Sequence, residues 1–175
     1  TGNKVLLTSP CYSGFYSMAR AARVDTIDSQ MRYVDGRYEV DWEDLESKMT
    51  SDVRAMIVCN PQNPTGNCWS QEDLIRMGEI CLEHRVVLLA DEIHCDFVTK
   101  GNKYTPFATL SNKEIVDNSL TFKAASKSFS LAAMKAAWYF STNPDYLARV
   151  RANTRADLST LGMVANMAAL TEGED

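Results

Sequence analysis

The sequence predicts an α/β fold, a doubly wound, mostly parallel sheet with helices on its faces, and three observations carry that prediction. Continuous apolar runs recur in the 175 residues, at Val5-Leu-Leu7, Ala55-Met-Ile-Val-Cys59 and Val86-Val-Leu-Leu-Ala90. Runs this short and unbroken suit strands of a buried parallel sheet. Each stops at a cluster of polar residues, and a stretch of helical periodicity separates the second from the third. Strand, helix and strand therefore alternate, as a parallel crossover requires.

Lys4-Val-Leu-Leu-Thr8 reads as the first strand, delivering its end into Ser9-Pro10. Gly14 to Arg23 is rich in helix formers. From Val24 to Val40 the pattern is of short strands, with Asp35-Gly36 as a turn. Asp41 can cap a helix running through Met49; Asp44 is too short for the usual reciprocal cap but adds negative charge to the first turn. Arg54 to Cys59 predicts a strand buried on both faces. It runs into Asn60-Pro-Gln-Asn-Pro-Thr-Gly66, where two prolines and a glycine forbid regular structure. Ser70, followed three residues later by Asp73, starts the next helix. Its apolar stripe is Leu74, Met77, Gly78, Cys81 and Leu82, ending near His84. After the strand at Val86–Ala90, weaker strands are predicted at Ser119–Phe122 and Ala136–Phe140. Asp145 to about Leu170 is helical, with a break expected near Gly162.

Composition bounds the function. The apolar fraction is 45 % and the net charge −5, with 18 basic residues scattered singly, so there is no positive field for a nucleic-acid backbone. No apolar run reaches the roughly 20 residues that span a bilayer, and the N-terminus lacks the build of a signal peptide, so a cytoplasmic location is expected. Five cysteines (Cys11, Cys59, Cys68, Cys81, Cys95) without a C-x-x-C pair, and two histidines, suggest no zinc set; reduced thiols fit a cytosolic protein.

Four polar clusters stand where predicted strands end: Cys11-Tyr12, Asn60 to Gly66, Asp91 to His94, and Ser126-Lys127. Taken singly, Asp91 is as readily a helix cap or ion-pair partner, Ser126-Lys127 a solvated surface pair, and Tyr12 a core residue. Asn-Pro-x-Asn-Pro-x-Gly is harder to explain as a connector, because it sets two amide side chains on a rigid loop.

In their order and separations, Asn60-Pro-Gln-Asn-Pro-Thr-Gly66, Asp91-Glu-Ile-His94 and Ser126-Lys127 resemble the fold-type I pyridoxal-phosphate enzymes of the class I/II aminotransferase-like family. The resemblance implies a three-layer sandwich with a mostly parallel sheet, present here as an incomplete large domain over residues 1–175. An N-terminal segment and a C-terminal small domain would lie outside it. It also implies the cofactor, pyridoxal 5'-phosphate. Lys127 would hold it as an imine and later shuttle the substrate's α-proton, a role that burial and nearby cations would favour by allowing a neutral amine. Asp91 would sit against the pyridine nitrogen, Asn63 would donate to the ring oxygen, His94 would stand near the same oxygen, and Tyr12 would stack on the ring face.

Phosphate binding departs from the family's pattern. Ala124 stands three residues before the lysine, where a hydroxyl is usual, with Ser126 as a possible substitute; Lys135 stands eight residues after it, where an arginine is usual.

Within the family, Gly36-Arg-Tyr-Glu-Val-Asp-Trp-Glu-Asp-Leu45, Asp91-Glu-Ile-His94 and Ser126-Lys-Ser-Phe-Ser-Leu-Ala132 are most similar to the cystathionine β-lyase or C–S lyase branch. The branch's asparagine, glycine and histidine are replaced by Ser130, Ala133 and Gln62, which bears on substrate preference. This likeness implies a β-lyase of cystathionine or another cysteine thioether, giving thiol, pyruvate and ammonia. Two alternatives stand beside it, an aminotransferase of an amino acid and a non-catalytic pyridoxal-binding regulatory module. The partners expected are a small amino-acid substrate and, in the intact protein, a second copy in a homodimer, with neither nucleic acid nor membrane.

Overall fold

In the computed structural model, residues 2–153 and 157–173 are described. Eight strands and six helices follow in chain order among them: β1 Lys4–Ser9, α1 Ser13–Ala21, β2 Asp25–Gln30, β3 Arg32–Val34, β4 Arg37–Glu39, α2 Trp42–Ser47, β5 Val53–Cys59, α3 Gln71–Glu83, β6 Val87–Asp91, α4 Lys113–Asp117, β7 Ser119–Lys123, β8 Trp138–Phe140, α5 Pro144–Asn153 and α6 Thr160–Glu172. Short 3₁₀ turns at Phe107–Thr109 and Ala132–Met134 complete the set.

Six strands form one sheet in the order β2-β1-β5-β6-β7-β8. Its first five are mutually parallel, and β8 closes the edge antiparallel to β7. The chain moves outward from β1 to β2, then returns to lay β5 on the other side of β1. Such a reversal leaves a crevice at the carboxyl ends of the two strands, which is where ligands bind in open α/β sheets. The hairpin β3–β4 stands apart, and its turn residues Asp35 (φ 46°) and Gly36 (φ 83°) both adopt the positive φ that a tight two-residue hairpin turn needs.

Alternation along the strands divides the sheet into two unequal faces. Leu6, Met56, Val58, Leu88 and Ala90 point to one side and are buried with Leu74, Met77, Ile80 and Cys81 of α3, Leu45 of α2 and Ile115 of α4. Each of these large side chains contributes roughly 1.5–3 kcal/mol by leaving water. The helix start expected at Ser70 and Asp73 is present and takes the form of a reciprocal cap, with Ser70 Oγ accepting from Asp73 N–H at 3.0 Å and the Asp73 carboxylate accepting from Ser70 N–H at 3.2 Å. Gly78 permits the approach of α4, since a Cβ there would lie 2.9 Å from Ile115 Cβ.

On the other face Leu7 and Cys59 pack against Phe15 of α1, with Val5 and Ile57 partly covered. A cavity of about 440 Å³ remains there, lined by Ile57, Leu89 and Phe122 of the sheet and by Met18 of α1. The expectation that β5 is buried on both faces holds toward α3 at Met56 and Val58, while toward α1 Cys59 is buried and Ile57 only partly covered. Boundaries also move, and β8 begins at Trp138 rather than Ala136. α2 ends at Ser47, two residues before Met49, and the break in the C-terminal helical stretch falls ahead of Ser159, whose side chain caps α6 by accepting from Gly162 N–H at 3.1 Å. Gly162 lies inside α6.

Candidate active site

Parallel register brings the ends of the strands level: Cys59 of β5 pairs with Asp91 of β6, and Asp91 with Phe122 of β7. Every loop that carries a candidate residue leaves the sheet at this edge.

The loop after β5 separates the duties of its two asparagines. Asn60 is buried and consumed by the fold, its Oδ1 accepting from Trp69 N–H at 3.2 Å and its Nδ2 donating to Thr105 O at 3.1 Å. Asn63, three residues on, makes no side-chain hydrogen bond among the described residues and is half-buried. A tight turn presents it, closed by Gly66 N–H donating to Gln62 O at 2.7 Å, with Gly66 at φ 76°. Gln62, at the position expected to bear on substrate preference, is 2 % exposed. Its Nε2 donates to Thr8 O at 3.1 Å and Pro10 O at 3.0 Å, tying the β5 loop to the loop that carries Tyr12.

Tyr12 precedes α1 and is 48 % exposed, so the core reading of this residue does not hold. Its ring lies edge-on to Phe15 at 5.6 Å and over Gly14, where a Cβ would come within 2.2 Å of it.

Asp91 ends β6. Its Oδ1 accepts from Ile93 N–H at 3.1 Å, the one side-chain hydrogen bond it makes among the described residues. Burial pushes its carboxyl above the ordinary range, and the Ile93 N–H, His94 and Lys127 act against that shift. His94 is held below its ordinary value, first by burial and then by the charge of Lys127, with Asp91 opposing. The Cys59 thiol is pushed up to about 12 by burial and by Asp91, while the Asn63 backbone N–H works the other way. The charges of Lys127 and Asp91 thus both reach His94, and the Asn63 backbone N–H reaches the Cys59 thiol at the neighbouring strand end.

Lys127 follows β7 in an irregular turn and is exposed. The burial expected of it is not supplied by these residues, because the turn projects past the end of the sheet. Ser126 is half-buried, its carbonyl accepting from Leu131 N–H at 3.0 Å. Lys135 caps the second 3₁₀ turn at φ 52°. Among the described residues, neither side chain bonds to the other candidates. A residue that sequence reasoning passed over is Glu92, 1 % exposed beside Asp91; its signal was a carboxylate in the middle of a strand-end motif otherwise read for its first and last members.

Comparison with known proteins places the chain in a family. Residues 1–175 match the family Aminotransferase class I and II, and the chain belongs to that family. It is 40 % identical over 162 residues to cystathionine beta-lyase PatB of Bacillus subtilis, covering 92 % of this chain and 41 % of that protein. It is 30 % identical over 166 residues to an alanine aminotransferase of Mycobacterium tuberculosis, covering 95 % and 36 %. Among solved structures it matches the pyridoxal-phosphate-bound C–S lyase from Staphylococcus hominis with a TM-score of 0.91 and 32 % identity, over 98 % of this chain and 45 % of that one. Cystalysin from Treponema denticola, which contains pyridoxal 5'-phosphate, matches with a TM-score of 0.91 and 28 % identity, over 99 % and 45 %. The chain thus spans less than half the length of these relatives. The family depends on pyridoxal 5'-phosphate, and the chain's fold is the mostly parallel sheet with flanking helices expected from the sequence.

Proposed function

We propose that the whole protein is a pyridoxal-phosphate-dependent carbon–sulfur β-lyase of cystathionine or a related cysteine thioether, with residues 1–175 forming part of its cofactor-binding large domain. The observation that carries this reading is the register that sets Cys59, Asp91 and Phe122 side by side, so that the loops bearing Asn63, His94 and Lys127 leave the sheet at one edge beside Asp91. The residues present fit the cofactor. Among the described residues, Asn63 has an unused amide, Asp91 an oxygen without a donor, and Ser9 Oγ at the end of β1 and Gln62 Oε1 and Thr65 Oγ1 on the loop after β5 are buried without partners. Orphaned polar atoms concentrated at one edge suit a site completed by a polar ligand.

Asp91 would hold the ring nitrogen, with Asn63 and His94 at the ring oxygen, Tyr12 on the ring face, and Ser126 and Lys135 toward the phosphate. When bound, pyridoxal phosphate supplies an electron sink next to the substrate's α-carbon. Lys127 Nζ would hold the cofactor and would act as the base that takes the α-proton. The β-carbon–sulfur bond then breaks with its electron pair leaving on sulfur. With one water consumed, the products are a thiol, pyruvate and ammonia.

An aminotransferase shares the first proton transfer, and the similarity to an alanine aminotransferase favours it as a second reading. Cystathionine with the cofactor-loaded whole protein separates the two: thiol and pyruvate without added 2-oxo acid support the lyase, whereas dependence on a 2-oxo acid with no thiol rejects it. Borohydride reduction followed by peptide mapping addresses Lys127 directly, and label on any other lysine contradicts its role. The intact protein is proposed to be a cytoplasmic homodimer; among the described residues, no helix is long and apolar enough to cross a membrane.

A further inference from the structure

Lys127 is exposed and belongs to no helix or strand, yet its usefulness depends on its placement against Asp91. Two cross-links join the loops that carry them. Glu92, next to Asp91, accepts from Phe107 N–H at 2.7 Å through Oε1 and from the Tyr104 hydroxyl through Oε2. Lys123, which ends β7 four residues before Lys127, brings Nζ to 3.8 Å from Glu92 Oε2 and lies over the Tyr104 ring at 5.4 Å. Glu92 N–H also donates to Phe122 O at 3.0 Å. On the far side, Ser128 Oγ, adjacent to Lys127, donates to Asp96, two residues after His94. Glu92 is almost wholly buried, and Lys123 and Tyr104 are half-buried, so this contact persists where surface ion pairs are screened.

We propose that Glu92 is a positioning residue for the cofactor site: through Lys123 and Tyr104 it clamps the end of β7 to the end of β6 and so sets where Lys127 stands relative to Asp91. The proposal rests on the reading of Asp91 and Lys127 as cofactor contacts. It explains why a carboxylate stands buried at this edge of the sheet, where an uncharged side chain would avoid the cost of burial. Displacements on the order of 1 Å between reacting groups cost about a hundredfold in rate, so a clamp of this kind has a measurable consequence.

The test uses the whole protein and reads pyridoxal-phosphate affinity by absorbance titration, together with the visible spectrum of the bound cofactor. Glu92→Gln and Lys123→Met are each expected to weaken cofactor binding roughly tenfold or more and to change the spectrum. The double variant should lose no more than the worse single one, because both act through one contact. Tyr104→Phe, which removes a single hydroxyl, should shift both readouts less and in the same direction, and it carries the test if Glu92→Gln does not fold. Unchanged affinity and spectrum in the folded variants, with only the unfolding midpoint lowered, overturns the proposal. Asp91→Ala and Lys127→Ala are run alongside: if they too leave affinity and spectrum untouched, the site reading fails and the proposal falls with it, whereas loss in these two alone rejects only the clamp.

Discussion

His94 carries a pH signature that belongs to a single side chain. Its folded pKa is depressed by burial and by Lys127, so the folded state disfavours the imidazolium relative to the unfolded chain. The stability it contributes is present above the unfolded value of about 6.5 and is lost as pH falls through the lower folded value. Urea midpoints of the wild type should therefore drop on acidification by more than those of His94→Asn; equal drops would remove His94 as the cause. Asp91, whose folded value is raised, works in the opposite sense, its stabilisation fading as pH rises through that value. The two asparagines give a second contrast. Asn60→Ala should cost about 1–3 kcal/mol of stability by stranding Trp69 N–H and Thr105 O, with or without cofactor. Asn63→Ala should leave the stability of the cofactor-free protein within about 0.5 kcal/mol and weaken cofactor binding instead. The sequence pointed to two amides on a rigid loop; which one the fold consumes depends on Trp69 and Thr105, nine and forty-five residues away.

Helix α3 shows how an element is held at both ends and along one face. Its start is closed by the Ser70–Asp73 reciprocal cap, and its end by Val86 N–H donating to Cys81 O at 2.8 Å and Arg85 N–H to Leu82 O at 3.1 Å. That paired ending places Arg85 at φ 57°, a conformation that glycine adopts without strain. Arg85→Gly is accordingly expected to stabilise the fold by about 1 kcal/mol in thermal unfolding; a lower midpoint would contradict the strain argument. Gly78→Ala should do the reverse, costing about 1–3 kcal/mol as the new methyl meets Ile115. The start of the helix was legible from the Ser70–Asp73 spacing alone. The need for glycine at position 78 was not, because Ile115 reaches it from a helix thirty-seven residues on.

Across the whole molecule, covered and uncovered surfaces divide sharply. Leu161 (76 % exposed), Met167 (67 %) and Leu170 (53 %) of α6 face outward, and the α1 side of the sheet keeps its cavity. Apolar surface of this extent drives association. The 175-residue chain by itself is therefore expected to increase in mass with concentration in light scattering; a monomer at every concentration would argue against it. Much of this molecule follows from its sequence alone, since strands, caps and turns are set by local periodicity and backbone chemistry. The β-strand order, the clamp from Glu92 to Lys123, the exposure of Lys127 and the separate fates of Asn60 and Asn63 were decided only by the tertiary structure. They depend on which side chains the parallel register carries to the same edge, and that is a property of pairs far apart in the chain.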